Sequence, residues 1–333
     1  MTIAGGPADD RRMPPSTTSG GHEVAPGALP RRLWLVTLVV GVVLWAAVTV
    51  AVALTDDTVL VPNLILLGSF LVPVCTVLFV LGRPREAHLS IEAIILGFLA
   101  GGTAGLVLTG TTEVYVLPDH LGTNALIGLI EESGKALVVV AVAALVVVRV
   151  PRDGMVLGAT VGAGYSAFES AGYALGALIQ YTDDRPVLNV VQTEAERASL
   201  APFGHIAWTA LLGGAIFASA WTTGRFRVDR RVLWTFLGVA ALHGCWDASY
   251  GWAIRVTEGL GGEGWQLGWP DTAAWIGTPT GSELLRFQIV YAVLQGLLSL
   301  IGLVWAIRRW RRYRIDRWTE AHPRPESRSV AHQ

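Results

Sequence analysis

In the stretch LIEESGKALVVV (129–140), Glu131 and Glu132 stand side by side just ahead of Lys135. Lys135 is four residues from Glu131 and three from Glu132, so on a helix one ammonium reaches either carboxylate. Tyr165 and Glu169 share a helical face in GAGYSAFESAGY, and His243 and Asp247 share one in LHGCWDASY. His205 lies between these pieces in FGHIAWTALLGG, and Arg197 lies a little before it. Carboxylates, an imidazole and a buried cation are the parts a hydrolytic site needs. Two adjacent carboxylates in low dielectric do not readily both ionise, which leaves a carboxylate base beside a neutral acid. Lys135 would hold one of them charged.

The surroundings make these residues unusual. The 333-residue chain is 52% hydrophobic and only 15% charged, with a mean hydropathy of +0.49. Soluble domains are nearer a quarter charged, so the balance points to an integral membrane protein. Of 25 basic residues, Lys135 is the one lysine. Nothing in the chain resembles the basic footprint of a nucleic-acid binder. Cys75 and Cys245 lie in separate apolar runs and suggest neither a disulfide framework nor a zinc knuckle.

About 20 apolar residues cross the hydrocarbon as a helix. Eight stretches qualify: 33–54, 60–82, 91–109, 121–148, 154–180, 203–223, 232–254 and 287–307. Arginines orient them. One set of flanks holds Arg11, Arg12, Arg31, Arg32, Arg83, Arg85, Arg149 and Arg152, then Arg225 to Arg231 and the cluster from Arg308 to Arg317. The opposite set holds Arg185, Arg197, Arg255 and Arg286. The expected architecture is an all-α, polytopic bundle of about eight transmembrane helices in the cell membrane, both termini cytoplasmic. Residues 1–30 read as a disordered tail without a signal peptide, 31–310 as the membrane domain, and 311–333 as a basic tail, loose beyond Trp318. The outer loop carries Trp265, Trp269 and Trp275, suited to an interfacial anchor or to a lid.

The embedded ionisable groups all fall in spans four to seven. Each charge left unpaired at the bilayer centre costs roughly 2.5–3.5 kcal/mol. They must face inward and face one another. At 1.5 Å per residue, Glu131, Glu132, Glu169 and His243 lie roughly 15–17 Å from their outer helix ends. Asp247 lies at about 10 Å and His205 at about 5 Å or less on the same rise. This describes a polar pocket that begins at mid-membrane and opens outward. Gly162, Gly164, Ala167 and Ala171 would let neighbouring helices approach closely.

These residues resemble the PrsW family of intramembrane proteases, a branch of the CAAX-protease and bacteriocin-processing superfamily. Glu131 through Lys135 match EExxK, Tyr165 through Glu169 match FxxxE with tyrosine for phenylalanine, and His243 through Asp247 match HxxWD. Ser170 stands where an asparagine often follows. His205 and Arg197 match an intermediate histidine and an outer-loop arginine. The resemblance implies a peptidase with Glu131 as general base, Glu132 as its proton-holding partner and Glu169 positioning the water. His243 would face the oxyanion with its tautomer fixed by Asp247, and His205 would support or bind substrate. Glu131, Glu132, Glu169, His205 and His243 could also hold a divalent metal such as zinc. The chain has no HExxH helix, which tilts the residues themselves toward metal-free chemistry, while PrsW relatives are often labelled metalloproteases.

The implied substrate is a membrane-spanning protein cut near its extracytoplasmic end, in the better-known setting an anti-sigma factor. Embedded carboxylates also mark ion pathways, so a proton- or ion-coupled transporter is the rival reading, and a silent scaffold a second. The lack of an inverted repeat counts against transport.

Overall fold

The computed structural model describes residues 30–82, 89–117, 123–146, 149–180, 186–260 and 280–322, and every regular element among them is helical. α1 (Leu33–Thr55) passes through a 3₁₀ turn at Thr58–Leu60 into α2 (Val61–Leu81). α3 (Ile91–Ala100) continues through a π-helical stretch, Gly101–Gly105, into α4 (Leu106–Val116). There follow α5 (Thr123–Ala143), α6 (Pro151–Gln180), α7 (Pro186–Leu200), α8 (His205–Thr223), α9 (Arg230–Gly259), α10 (Gly281–Arg312) and α11 (Ile315–Ala321). Local chemistry sets several starts. Ser90 Oγ accepts from Ala93 N at 3.2 Å ahead of α3, and Asp229 Oδ1 accepts from Val232 N at 2.9 Å ahead of α9. Thr280 and Glu283 form a reciprocal capping box ahead of α10.

Each of the eight apolar stretches is helical over most of its described residues. Five helical segments are long and apolar enough to cross a membrane: Leu33–Thr55, Thr58–Leu81, Ile91–Val116, Pro186–Thr223 and Gly281–Arg312. α5, α6 and α9 are not among them, and these are the helices that carry Glu131, Glu132, Lys135, Glu169, His243 and Asp247. Their charged and small residues lower the hydropathy that spanning helices usually show.

α6 is the axis. Every residue from 153 to 167 is buried, and α2, α3, α5, α7 and α8 all pack on it. Small residues set the separation. A Cβ at Gly162 would lie 2.3 Å from His205 O on α8, and one at Gly164 would lie 1.8 Å from Phe98 O on α3. The two glycines therefore admit different neighbours, one on each side of α6. α5 meets α9 in the same way, since a Cβ at Gly128 would lie 2.5 Å from Ala240 O.

One element differs from the sequence reading. Residues 186–200, read as outer loop, form α7, which folds back onto α1, α2 and α6. Its polar appearance hides a buried face: Val190 packs with Leu64, Ile65 and Ala174, and Glu194 Oε2 accepts from Trp45 Nε1 at 2.7 Å. At the C-terminal end, α11 docks through buried Trp318 beside buried Tyr313 and runs on to Ala321, a little past Trp318, beyond which the sequence reads as loose. Arg11, Arg12, Arg83, Arg85, Arg185, the tryptophans 265, 269 and 275, and both tail ends lie outside the described residues.

Candidate active site

α5 turns Glu131, Glu132 and Lys135 into the bundle, and all three are buried. Lys135 Nζ lies 3.0 Å from Glu131 Oε2, 2.9 Å from Glu132 Oε1 and 2.8 Å from His205 Nδ1. One ammonium thus directs its three N–H groups at two carboxylates and an imidazole. It also sits 4.1 Å from the centroid of the Tyr165 ring, whose hydroxyl is 2.7 Å from Thr109 Oγ1.

The network assigns the His205 tautomer. An ammonium only donates, so Nδ1 accepts and the ring proton lies on Nε2, which is 2.9 Å from Glu169 Oε2. The same Glu169 oxygen accepts from Arg197 Nη2 at 2.5 Å, and Arg197 Nε donates to Ser170 Oγ at 2.8 Å. His205 is the first residue of α8 and follows the turn 201–204 that joins α7 to α8. Its expected place at the outer mouth does not hold: the ring touches the very lysine and glutamate placed deep. Counting depth from the end of a straight span failed because the chain reaches this point through α7.

His243 is the second departure. Its Nδ1 is 3.0 Å from Glu132 Oε1, whereas Asp247 Oδ2 is 3.5 Å from Nε2 and has no hydrogen-bond partner. The carboxylate hydrogen-bonded to the ring is Glu132, from the facing helix, and Asp247 on its own helix stands farther off. The close α5–α9 approach brings Glu132 within reach. Nε2 also lies 3.6 Å from Glu131 Oε2. The His205 and His243 rings meet edge-on at 4.9 Å, with Trp208 at 5.1 Å from His243 and Trp246 at 5.5 Å from Trp208.

A cavity of about 610 Å³ opens beside the cluster. Glu169, Arg197, His205 and Asp247 line one side, and Gln288, Tyr291 and Gln295 of α10 line another. Sequence reasoning passed over Thr109, Glu113, Trp208 and Gln295. Glu113 has a buried Oε1 without a hydrogen-bond partner and lies in the field of Glu131, Glu169, His243 and Lys135. Ending the third span at residue 109 hid it. Gln295 is one of a few uncharged polar residues in an otherwise apolar stretch, a signal easily passed over beside charges.

Among the described residues, Glu131, His205 and His243 each offer a ligand atom, all within 4.8 Å of one another. Two imidazoles and one carboxylate are a familiar donor set for a catalytic divalent metal. Glu132 on His243 Nδ1 supplies the orienting carboxylate that such ligands usually have. The residues therefore fit a metal, with His205 releasing Lys135 or Glu169 to free a nitrogen. Glu132 and Glu169, also considered as ligands, are engaged by Lys135 and His243, and by Arg197 and His205. Cys75 and Cys245 are both free thiols.

Residues 30–266, well over half of the chain, match the PrsW family of intramembrane metalloproteases. The chain belongs to the PrsW family. No curated protein and no solved structure matches it. As a PrsW protein it is an intramembrane protease, a hydrolase whose substrate is a membrane protein in a bilayer. This selects the protease over the transporter and the scaffold. The family's description as metalloproteases also opposes the tilt toward metal-free chemistry drawn from the missing HExxH helix. The PrsW match takes in α1 to α9 and leaves out α10, which nonetheless walls the cavity.

Proposed function

We propose that this PrsW protein cleaves a single-span membrane protein near its extracytoplasmic end, using Glu131, His205 and His243 as a metal-binding and proton-handling unit. The observation that carries the reading is the convergence of Glu131, Glu132, Lys135, Glu169, His205 and His243, from four helices, in one hydrogen-bonded cluster beside a cavity of about 610 Å³. A divalent metal such as zinc held by Glu131, His205 and His243 would supply Lewis-acid polarisation of the scissile carbonyl and acidify the attacking water.

The remaining roles follow from the contacts. With Nδ1–H directed at Glu132, His243 presents the Nε2 lone pair toward Glu131 and Asp247, the nitrogen of a ligand or a proton acceptor. Glu132 orients that ring. Lys135 offsets the repulsion between the two glutamates. Lys135 and Glu169, the latter held by Arg197, flank His205, and when one of them gives up its ring nitrogen to a metal the other keeps the ring in place. Glu131 Oε2 faces Lys135 and His243, so Oε1 is the oxygen that takes a proton from water and returns it to the leaving amine. Tyr165 supports the ammonium from beneath. Asp247 Oδ2, without a hydrogen-bond partner at the cavity wall, suits a substrate N–H or the water.

The arginine distribution supports eight spans with both termini cytoplasmic, residues 31–310 forming the protease domain between tails 1–30 and 311–333. The resemblance to PrsW proteases makes a membrane anti-sigma factor the first substrate class to test. Membrane-protein fragments are compared in cells carrying wild-type protein and Glu131→Gln, each with and without a chelator, and bound metal is measured on purified protein. Fragments lost in the variant and on chelation, with metal lost in His243→Ala, are the expected result. An unchanged fragment pattern in Glu131→Gln would overturn the catalytic assignment, and a metal-free, chelator-resistant protease would overturn the ligand assignment alone.

A further inference from the structure

A second cleft, of about 330 Å³, lies at the arginine-rich ends of α9 and α10. Arg231 precedes His243 by 12 residues, about 18 Å of helix, so the cleft is separate from the active site. Arg230, Arg231, Arg309 and Arg312 line it together with Trp305 and Trp318. Among the residues whose side chains are described, no carboxylate forms an ion pair with any of these four guanidiniums. Four like charges around one small space repel unless an anion joins them.

The cleft is built, not a loose surface patch. Trp318 is only 3% exposed, and its Nε1, a donor only, has no acceptor. Arg231 lies 5.1 Å from the Trp318 ring, and its Nη1 is likewise buried without an acceptor. Buried donors without partners are uncommon in folded proteins. Trp305 is fixed against α9, since a Cβ at Gly238 would meet its ring at 2.7 Å. A tetrahedral oxyanion supplies what is missing: several acceptor oxygens and negative charge, suited to the guanidinium fork. The first turn of α9 is capped by the Asp229 carboxylate, so the arginines and Trp318, not the helix end, carry the attraction for an anion.

We propose that this cleft between α9, α10 and α11 binds a phosphate group, from the headgroup of an anionic phospholipid or from a free phosphate ion. Basic pockets between spans at the arginine-rich membrane face suit anionic headgroups. Occupancy ties α10 and α11 to α9, the helix that carries His243.

The full chain in neutral detergent is titrated with phosphatidylglycerol, phosphatidylcholine and inorganic phosphate while its melting temperature is followed. A saturable rise with phosphatidylglycerol and none with phosphatidylcholine supports the headgroup, and a saturable rise with inorganic phosphate alone supports the free ion. Arg231→Gln with Arg309→Gln weakens binding about ten-fold or more, whereas Arg225→Gln with Arg227→Gln, which removes the same charge from the neighbouring turn, leaves it unchanged. Arg231→Lys with Arg309→Lys keeps the charge and removes the fork, so weaker binding at an unchanged ligand-free melting temperature separates ligand loss from misfolding. Equal loss in both Gln pairs, an equal rise with phosphatidylcholine, or no saturable response to any probe overturns the proposal.

Discussion

Lys135 has three N–H groups, and the structure gives them Glu131, Glu132 and His205. Removing the ammonium strands two buried carboxylates, a change worth about 3–5 kcal/mol. Lys135→Met should lower the melting temperature by about 10 °C and abolish cleavage. Glu131→Gln should melt within a few degrees of wild type yet cleave at least about 100-fold more slowly. Glu132→Gln added to Lys135→Met should recover part of the lost stability, the non-additivity expected of one charge network, and simple additivity in the melts would refute it. Tyr165→Phe should cost only about 1 kcal/mol, the Thr109 hydrogen bond, and should keep most cleavage because the ring under the ammonium stays. Much of this site was legible in the sequence because ionisable residues in apolar runs are expensive and must meet. Which carboxylate is hydrogen-bonded to His243 was not legible. Helical spacing offered Asp247, and only the packed α5–α9 pair reveals Glu132.

At the scale of elements, the site rests on how closely α8 lies against α6. Gly162 is packed under the backbone of His205, so Gly162→Leu should push the first turn of α8 away, lower the melting temperature and abolish cleavage together. Gly172 on the same helix faces open space, with no neighbouring atom within 4 Å of where a Cβ would stand, and Gly172→Ala should stabilise by about 1 kcal/mol with cleavage unchanged. Equal effects from the two substitutions in thermal melts would show that close approach is not what α6 contributes. The helices with long apolar runs could be read from composition, since length and hydropathy are local properties. α7 could not. Gln192, Glu194, Glu196 and Arg197 give it the polarity of a loop, and its helix forms against α2 and α6 through a face of few residues, Val190 and Glu194 among them. Misreading α7 also misplaced His205, since its depth depends on how the preceding segment enters the bundle.

Among the described residues many apolar side chains face outward, Val36, Val39 and Val43 on α1 and Ile289, Val293 and Leu297 on α10 among them, a surface that a bilayer would cover. Inside that shell the active-site cavity depends on α10, which lies beyond the residues matched to the PrsW family. Gln295 is the residue there with most to offer a substrate. Its Nε2 donates to Ser249 Oγ at 2.7 Å and lies 3.4 Å from Trp246 O. Its amide also interacts with the Tyr291 hydroxyl one turn away, and its buried Oε1 has no hydrogen bond of good geometry. Ser249 itself donates to Trp246 O at 2.6 Å, so it keeps a partner when Gln295 is replaced. Gln295→Leu should therefore change the melting temperature little. An unwound substrate segment in the cavity must place its backbone N–H groups on acceptors, and the free Oε1 is one. Losing that bond is worth about 0.5–1.5 kcal/mol, or roughly 2- to 12-fold. The expected result is a KM raised by that factor with kcat nearly unchanged, the pattern of an interaction made equally with bound substrate and transition state. An unchanged KM in steady-state cleavage would remove Gln295 from substrate binding, and a fall in kcat alone would place α10 in the chemistry instead.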